Sequence, residues 1–150
     1  MDYEQLKLDN QLCFRLYTAA RLTTGAYHPY LAPLGITYSQ YLVLLVLWEN
    51  GSLPVNDIAR RLMLETNTIT PLLQRMEKAA LVKRTKGKED SRQRIVSLTK
   101  KSTALREQAK HIPKCLSAEI VKKLGSADDI VRLVPVLDRL IEGLKQTENK

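Results

Sequence analysis

A mainly α chain with a small β wing, a winged helix-turn-helix carried between N- and C-terminal dimerisation helices, is the fold this sequence predicts. Three observations predict it: the order of periodic segments between Ser52 and Thr99, a basic excess confined to them, and apolar stripes at both ends of the chain. Leu53-Pro54-Val55 reads as a short extended piece. The short helix that follows, to Leu62, has Val55, Ile58, Ala59 and Leu62 at i, i+3, i+4 and i+7, one stripe facing a core. A second helix spans Thr66 to Leu81. Ile69, Leu72, Leu73, Met76 and Ala80 make its inner stripe, and Thr68, Thr70, Gln74, Arg75 and Lys78 point outward. Val82-Lys83-Arg84-Thr85 and Gln93 to Leu98 read as two strands. The charged tip Lys86-Gly87-Lys88-Glu89-Asp90-Ser91-Arg92 joins them as a turn.

Pro71 constrains where the second helix starts, because proline is tolerated in a first turn and disruptive deeper in. A start near Thr66 to Thr68, capped by a Thr or Asn side chain, places Pro71 in or just after that turn. The hydroxyls and amides of Thr66, Asn67, Thr68 and Thr70 then suit phosphate oxygens and base edges, with Gln74 and Arg75 further along.

Residues 60–101 hold twelve Lys/Arg and four Asp/Glu, a net of +8. The whole chain also carries +8, so everything outside that window sums to zero. A basic excess confined to a helix-turn-helix and its wing is the footprint of double-stranded DNA binding. Lys86, Lys88, Arg92 and Arg94 are its wing contacts. A merely solvated basic face would not require charge and fold pattern to coincide.

Length fits a single domain over residues 1–150, with the winged module at about 52–99 and dimerisation helices at about 4–33 and 100–146. The 44% hydrophobic and 27% charged content is that of a globular chain. The apolar run Tyr41 to Trp48 is too short to span a bilayer, so no membrane is expected. The acidic start Met1-Asp2-Tyr3-Glu4 lacks the basic region of a secretory signal, so the expected compartment is the cytoplasm. Two cysteines there are free thiols or a switch rather than a permanent staple.

Residues 4–28 read as a helix with Leu8, Leu12, Leu16, Ala19 and Ala20 on one face, ended or kinked by Gly25 and Pro29. Cys13 and Tyr17 lie one turn apart on one face. Tyr27, Tyr30, Tyr38 and Tyr41 crowd together in a chain only 5% aromatic. Thr37 or Ser39 caps a largely buried helix to Glu49, which Asn50-Gly51 terminates. Lys100 to Leu124 reads as a long helix with a kink or restart at Ile112-Pro113. Ser126 caps a last helix, with Asp129 in the capping-box position. Its stripe is Ile130, Leu133, Val134, Leu137, Leu140, Ile141 and Leu144, and Pro135 is expected to kink it. The apolar stripes of the first and last helices belong to no part of the winged module. A homodimer on a palindromic site would cover them.

Helix, helix, winged module with an Asp90-Ser91-Arg92 tip and two long C-terminal helices resembles the MarR family over essentially the whole chain. Leu8 to Phe14, Ile36 to Leu42, Leu47-Trp48-Glu49 and Leu72 to Glu77 are similar to its organic-hydroperoxide regulators (OhrR type). That resemblance implies a repressor in which Cys13 is the peroxide-reactive thiol and Tyr27 and Tyr38 hydrogen-bond to it, with Tyr17 close by. It implies that Arg92 enters the minor groove and Asp90 braces it. It also implies that Cys115 resolves the oxidised Cys13 of the other subunit.

The chemistry stands on its own terms. A thiolate attacks the peroxide O–O bond, and phenols donating to sulfur favour that charged form. The sulfenic acid so formed condenses with a second thiol, which requires Cα atoms within roughly 7 Å. If the thiols start further apart, helices must move. A buried core cysteine and a packed tyrosine cluster are the bland readings. Neither His28 nor His111 has a metal-ligand neighbour at useful spacing, so no metal, cofactor or catalytic residue is expected. Three other functions fit the same residues. They are a repressor released by a small apolar or phenolic ligand, a thiol peroxidase, and a constitutive architectural DNA binder. Multiple turnover with a dithiol reductant would mark the peroxidase, and redox-indifferent binding the architectural protein.

Overall fold

The computed structural model describes residues 3–87, 90 and 92–148. The chain forms two compact units, residues 1–110 and 111–150.

The first unit opens on two 3-10 turns, Glu4–Leu6 and Leu8–Asn10, rather than on the expected continuous helix. Lys7 between them is extended. The Asn10 side chain donates to the Glu4 carbonyl at 2.7 Å and the Gln11 side chain to the Gln5 carbonyl at 2.7 Å. These side-chain amides satisfy carbonyls that a helix would otherwise have used. Helix α1 therefore begins at Leu12 and runs Leu12–Gly25 with none of its residues buried. Pro29 sits in the first turn of the short α2, His28–Leu31, where its missing N–H is harmless.

Helix α3, Tyr38–Asn50, carries the core of the unit. Thr37 caps it in a reciprocal box: the Gln40 amide donates to Thr37 Oγ1 at 3.4 Å and the Thr37 amide to Gln40 Oε1 at 2.9 Å. Tyr41, Val43, Leu44 and Leu47 are buried along it. Gly51 ends it at φ 75°, a backbone region that L side chains enter only at a cost.

The winged module follows as read. Strand β1 is Leu53–Pro54, α4 is Val55–Arg61, and α5 is Thr66–Lys78. Strands β2, Val82–Lys86, and β3, Arg94–Leu98, close a three-stranded antiparallel sheet in the order β1-β3-β2. Leu53 lies opposite Val96, and Arg84 opposite the same residue on the other side. Ile58 and Ala59 of α4 and Ile69, Leu72, Leu73 and Met76 of α5 are buried, each large apolar side chain worth about 1.5–3 kcal/mol.

Two sequence expectations for α5 fail. Its N-cap is Glu65, with no side-chain cap bond. Thr66 Oγ1 instead lies 3.4 Å from Asn56 Oδ1, and Thr70 Oγ1 donates to the Thr66 carbonyl at 2.7 Å. The helix does start at Thr66, so Pro71 falls just after its first turn, inside the helix. Ala80 is not part of the inner stripe either. The helix stops at Lys78, and Ala80 turns left-handed at φ 55°. The Leu81 amide then reaches back to the Met76 carbonyl at 2.9 Å, which puts Leu81 into the core in its place. Met63, at φ 53°, ends α4 in the same way, the Leu64 amide reaching the Ala59 carbonyl at 2.9 Å.

Helix α6, Lys100–Ala109, is capped by Thr99, whose Oγ1 accepts from the Ser102 amide at 3.2 Å and donates to the Ala80 carbonyl at 2.7 Å. The indole N–H of Trp48 donates to the Ser102 carbonyl at 3.0 Å, tying α3 to α6.

In the second unit the predicted long helix restarts. Helix α7 is Ile112–Leu124, with Pro113 in its first turn and Gly125 ending it at φ 88°. Ser126 Oγ accepts from the Asp128 amide at 3.1 Å and so caps α8, Ala127–Glu148. The helix continues through Pro135. Leu133, Val134, Ile141 and Leu144 stand exposed on α8.

Candidate nucleic-acid interface and thiol face

The N-terminal half of α5, the start of α4 and the wing enclose an open cleft of about 610 Å³. Thr66 and Thr70 reach it from α5, and Asp90, Arg92 and Arg94 from the wing. Asn67, Thr68, Gln74, Arg75 and Lys86 are exposed on the same elements without lining it. Lys88 lies outside the described residues.

Sequence reasoning missed seven residues of this cleft: Pro54, Val55, Asp57 and, among those able to reach DNA as donors, Asn56, Arg60, Arg84 and Gln93. Asn56 and Arg60 are the outward positions of α4 opposite its buried stripe, a signal the helical period contains. Arg84 carries a different one, since it alternates with Val82 on the inner face of β2.

At the tip, Asp90 Oδ1 accepts from the Arg92 amide at 2.9 Å and from Arg92 Nε at 3.4 Å. The carboxylate holds the arginine by main chain and side chain together, while the Arg92 side chain stays 93% exposed. Gly87 is required there, because a Cβ on it would sit 2.6 Å from the Asp90 carbonyl oxygen. The Gly87 amide donates to the Gln93 carbonyl at 3.0 Å, closing the turn.

Behind the cleft, Glu77 of α5 grips Arg84 of β2. Glu77 Oε2 accepts from Arg84 Nε at 2.9 Å and Nη2 at 2.7 Å, and Oε1 accepts from the Arg84 amide at 3.1 Å. The hydrogen bonds from Arg84 hold the Glu77 carboxyl below its ordinary range.

The second face is α1. Cys13 is an exposed free thiol on it, flanked by Leu12 (63% exposed) and, one turn on, Tyr17 (65% exposed). Tyr27 and Tyr38 pack ring to ring at 4.7 Å, and Tyr27 meets Tyr41 at 5.7 Å. Burial raises the Tyr27 phenol above its usual range, helped by the neighbouring Tyr38. Burial alone does so for Tyr38. Both therefore remain O–H donors at neutral pH. They line a small cleft of about 270 Å³ with Thr24, His28, Leu31 and Ile36. Among the described residues no hydrogen bond joins Cys13 to Tyr17, Tyr27 or Tyr38 within one chain. Cys115 is exposed in the first turn of α7, its amide donating to the His111 carbonyl at 3.0 Å. Among the described residues no group of His, Cys, Asp and Glu gathers to hold a metal, and no single helix is long and apolar enough to cross a membrane.

A family model described as MarR family matches residues 36–93. The organic hydroperoxide resistance transcriptional regulator of Bacillus subtilis is 41% identical over 144 residues, covering 96% of this chain and 96% of that protein. The chain belongs to the MarR family. It is accordingly a MarR-type transcriptional regulator, and its mainly α winged helix-turn-helix is the family's fold. Among solved MarR-fold structures, reduced AbfR bound to DNA is 39% identical, with a TM-score of 0.76 over 96% of this chain and 99% of that one. Disulfide-formed AbfR is 40% identical, with a TM-score of 0.62 over 92% of this chain and 95% of that one. AbfR is a protein of Staphylococcus epidermidis.

Proposed function

We propose that this regulator is a dimeric repressor that binds a palindromic operator when reduced and releases it when an organic hydroperoxide oxidises Cys13. The observation that carries the reading is an exposed free thiol on a helix with no buried residue, in the same compact unit as a basic winged module. The similarity to the Bacillus subtilis hydroperoxide regulator and to AbfR, known in reduced, disulfide-formed and overoxidised forms, supports it.

The Cys13 thiolate attacks the O–O bond, taking one oxygen as sulfenic acid and releasing the alcohol. Apolar neighbours such as Leu12 and Phe14 admit an alkyl or lipid hydroperoxide more readily than a fully hydrated oxidant. Tyr27 and Tyr38, as phenols, donate to the sulfur, with Tyr17 close by. Cys115 of the partner subunit then condenses with the sulfenic acid, expelling water and forming an inter-subunit disulfide. The exposed stripe of α8 and the exposed face of α1 are the dimer surfaces, and the protein works in the cytoplasm. No enzymatic turnover is involved.

Mass spectrometry of the oxidised protein, run beside DNA binding, tests this directly. Release that tracks a modification on Cys13 supports the reading. Release that persists in Cys13→Ser overturns it.

One observation favours a second reading. The cleft lined by Tyr27, Tyr38 and Leu31 suits a small apolar or phenolic ligand, which would release DNA with the cysteines incidental. Release by a salicylate-like compound, unaffected by Cys13→Ser, would single it out.

A further inference from the structure

Arg84 lines the cleft between the DNA-facing helix and the wing, whereas Glu77 stands behind it. The two are not on one element. Glu77 is in the last turns of α5 and Arg84 in the middle of β2, on either side of the left-handed turn at Ala80. Arg84 occupies the inner face of its strand, opposite Val96 and two residues from the buried Val82. A free cation there would be costly, and the Arg84 side chain is only 23% exposed. Glu77 spends both carboxylate oxygens on it, through three hydrogen bonds. Two charge-assisted hydrogen bonds from Nε and Nη2 to one carboxylate oxygen hold the guanidinium by its edge. One of those bonds goes to the main chain of β2, so the grip fixes the strand as well as the side chain. The wing root is thereby tied to α5.

We propose that Glu77 is a specificity-determining positioning residue: by neutralising Arg84 it locks the wing to α5 and withholds that arginine from DNA phosphates. The inference rests on the cleft being the DNA-reading face. The neighbouring cations differ in this respect. Arg92 and Arg60 have carboxylate partners of their own, Asp90 at 3.4 Å and Asp57 at 2.9 Å. Their side chains are nevertheless 93% and 78% exposed, and each is held by a single carboxylate oxygen. Arg94 is exposed on the cleft, so all three can still turn to a phosphate. Specific binding needs the wing at a fixed distance from the helix, whereas non-specific binding counts free charges. A released Arg84 would add one charge to the second kind and blur the first.

The test compares wild type, Glu77→Gln, Arg84→Met and the double variant. Each is titrated with a duplex that the wild type enriches from a randomised pool, and with a shuffled duplex of the same composition, over a range of salt. Glu77→Gln should lose about 3- to 30-fold on the enriched duplex and lose nothing on the shuffled one, with a salt slope steeper by about one. Arg84→Met should also lose affinity for the enriched duplex, but with the wild-type slope. The double variant should return to that slope. A slope flattened by about one in Arg84→Met would make Arg84 a phosphate contact and overturn the proposal. Equal losses by Glu77→Gln on both duplexes, at an unchanged slope, would overturn it too, leaving a merely structural pair. If the wild type enriches no sequence at all, the cleft reading falls first and takes this inference with it.

Discussion

Replacing Arg92 by alanine separates what the wing does for DNA from what it does for the fold. The side chain is 93% exposed and its ion pair with Asp90 spans 3.4 Å. An exposed pair of that kind contributes about 0–1 kcal/mol to stability. The melting temperature of Arg92→Ala should therefore move little. Its DNA affinity should not be spared. A single arginine inserted against base edges is worth about 1–3 kcal/mol, a loss of roughly 5- to 150-fold in binding. Asp90→Ala leaves the arginine in place but removes both its main-chain and side-chain anchors. It should give a smaller loss on specific DNA, and none on non-specific DNA, where one negative charge has gone. Fluorescence anisotropy with a labelled duplex, titrated at several salt concentrations, reads both effects. An Arg92→Ala protein with undiminished affinity and an unchanged salt slope would show that the tip never reaches the duplex.

Other expectations follow from the same elements. Cys13→Ser should bind DNA normally and ignore organic hydroperoxide, whereas Cys115→Ser should still be oxidised at Cys13. On non-reducing gels only the wild type should cross-link, and a monomeric oxidised wild type would remove Cys115 from its inter-subunit role. Paired Leu133→Asp and Val134→Asp substitutions put charge on the exposed stripe of α8 and should yield a folded monomer by sedimentation; an intact dimer would show that the stripe is not the interface. Ala80→Gly relieves a left-handed residue whose side chain is exposed. It should raise stability by about 0.5–1 kcal/mol after the entropy of glycine is allowed for, or about 1–4 °C in melting temperature. Tyr27 keeps its proton longer folded than unfolded, mainly through burial, so its stabilisation is complete below the unfolded value and is lost as pH rises through the folded one. Tyr27→Phe should accordingly flatten the fall in urea midpoint as pH rises above the ordinary phenol value of about 10.

Periodicity was a sound guide wherever one face of an element is buried. Ile58 and Ala59, and Ile69, Leu72, Leu73 and Met76, occupy the core as their spacing requires. Turn chemistry was the weak signal. Both helix stops in the module use left-handed residues that are not glycine, Met63 and Ala80, and nothing in those side chains announces the turn. The N-terminal helix was overextended because Asn10 and Gln11 act through long-range side-chain bonds that helical spacing does not reveal. The outward wing residues were readable from charge. The Glu77–Arg84 grip was not, since it joins two elements across a turn whose geometry the sequence hides. Cys13 was distinguishable from a core cysteine only through the family strings around it, because an exposed and a buried thiol read alike in a helical pattern.

The chain holds a single tryptophan, and its position makes it a built-in optical probe. The Trp48 indole is fastened to a carbonyl of α6 at 3.0 Å and stands edge-on to Tyr41 at 6.2 Å. Tyr41 in turn stacks near Tyr27, so ultraviolet excitation absorbed by the tyrosine cluster can pass to one emitter. Any event that parts α3 from α6 frees the indole N–H to water and shifts its emission to the red. Stopped-flow fluorescence could then time a helix displacement after a stimulus in unlabelled protein, without DNA in the cuvette.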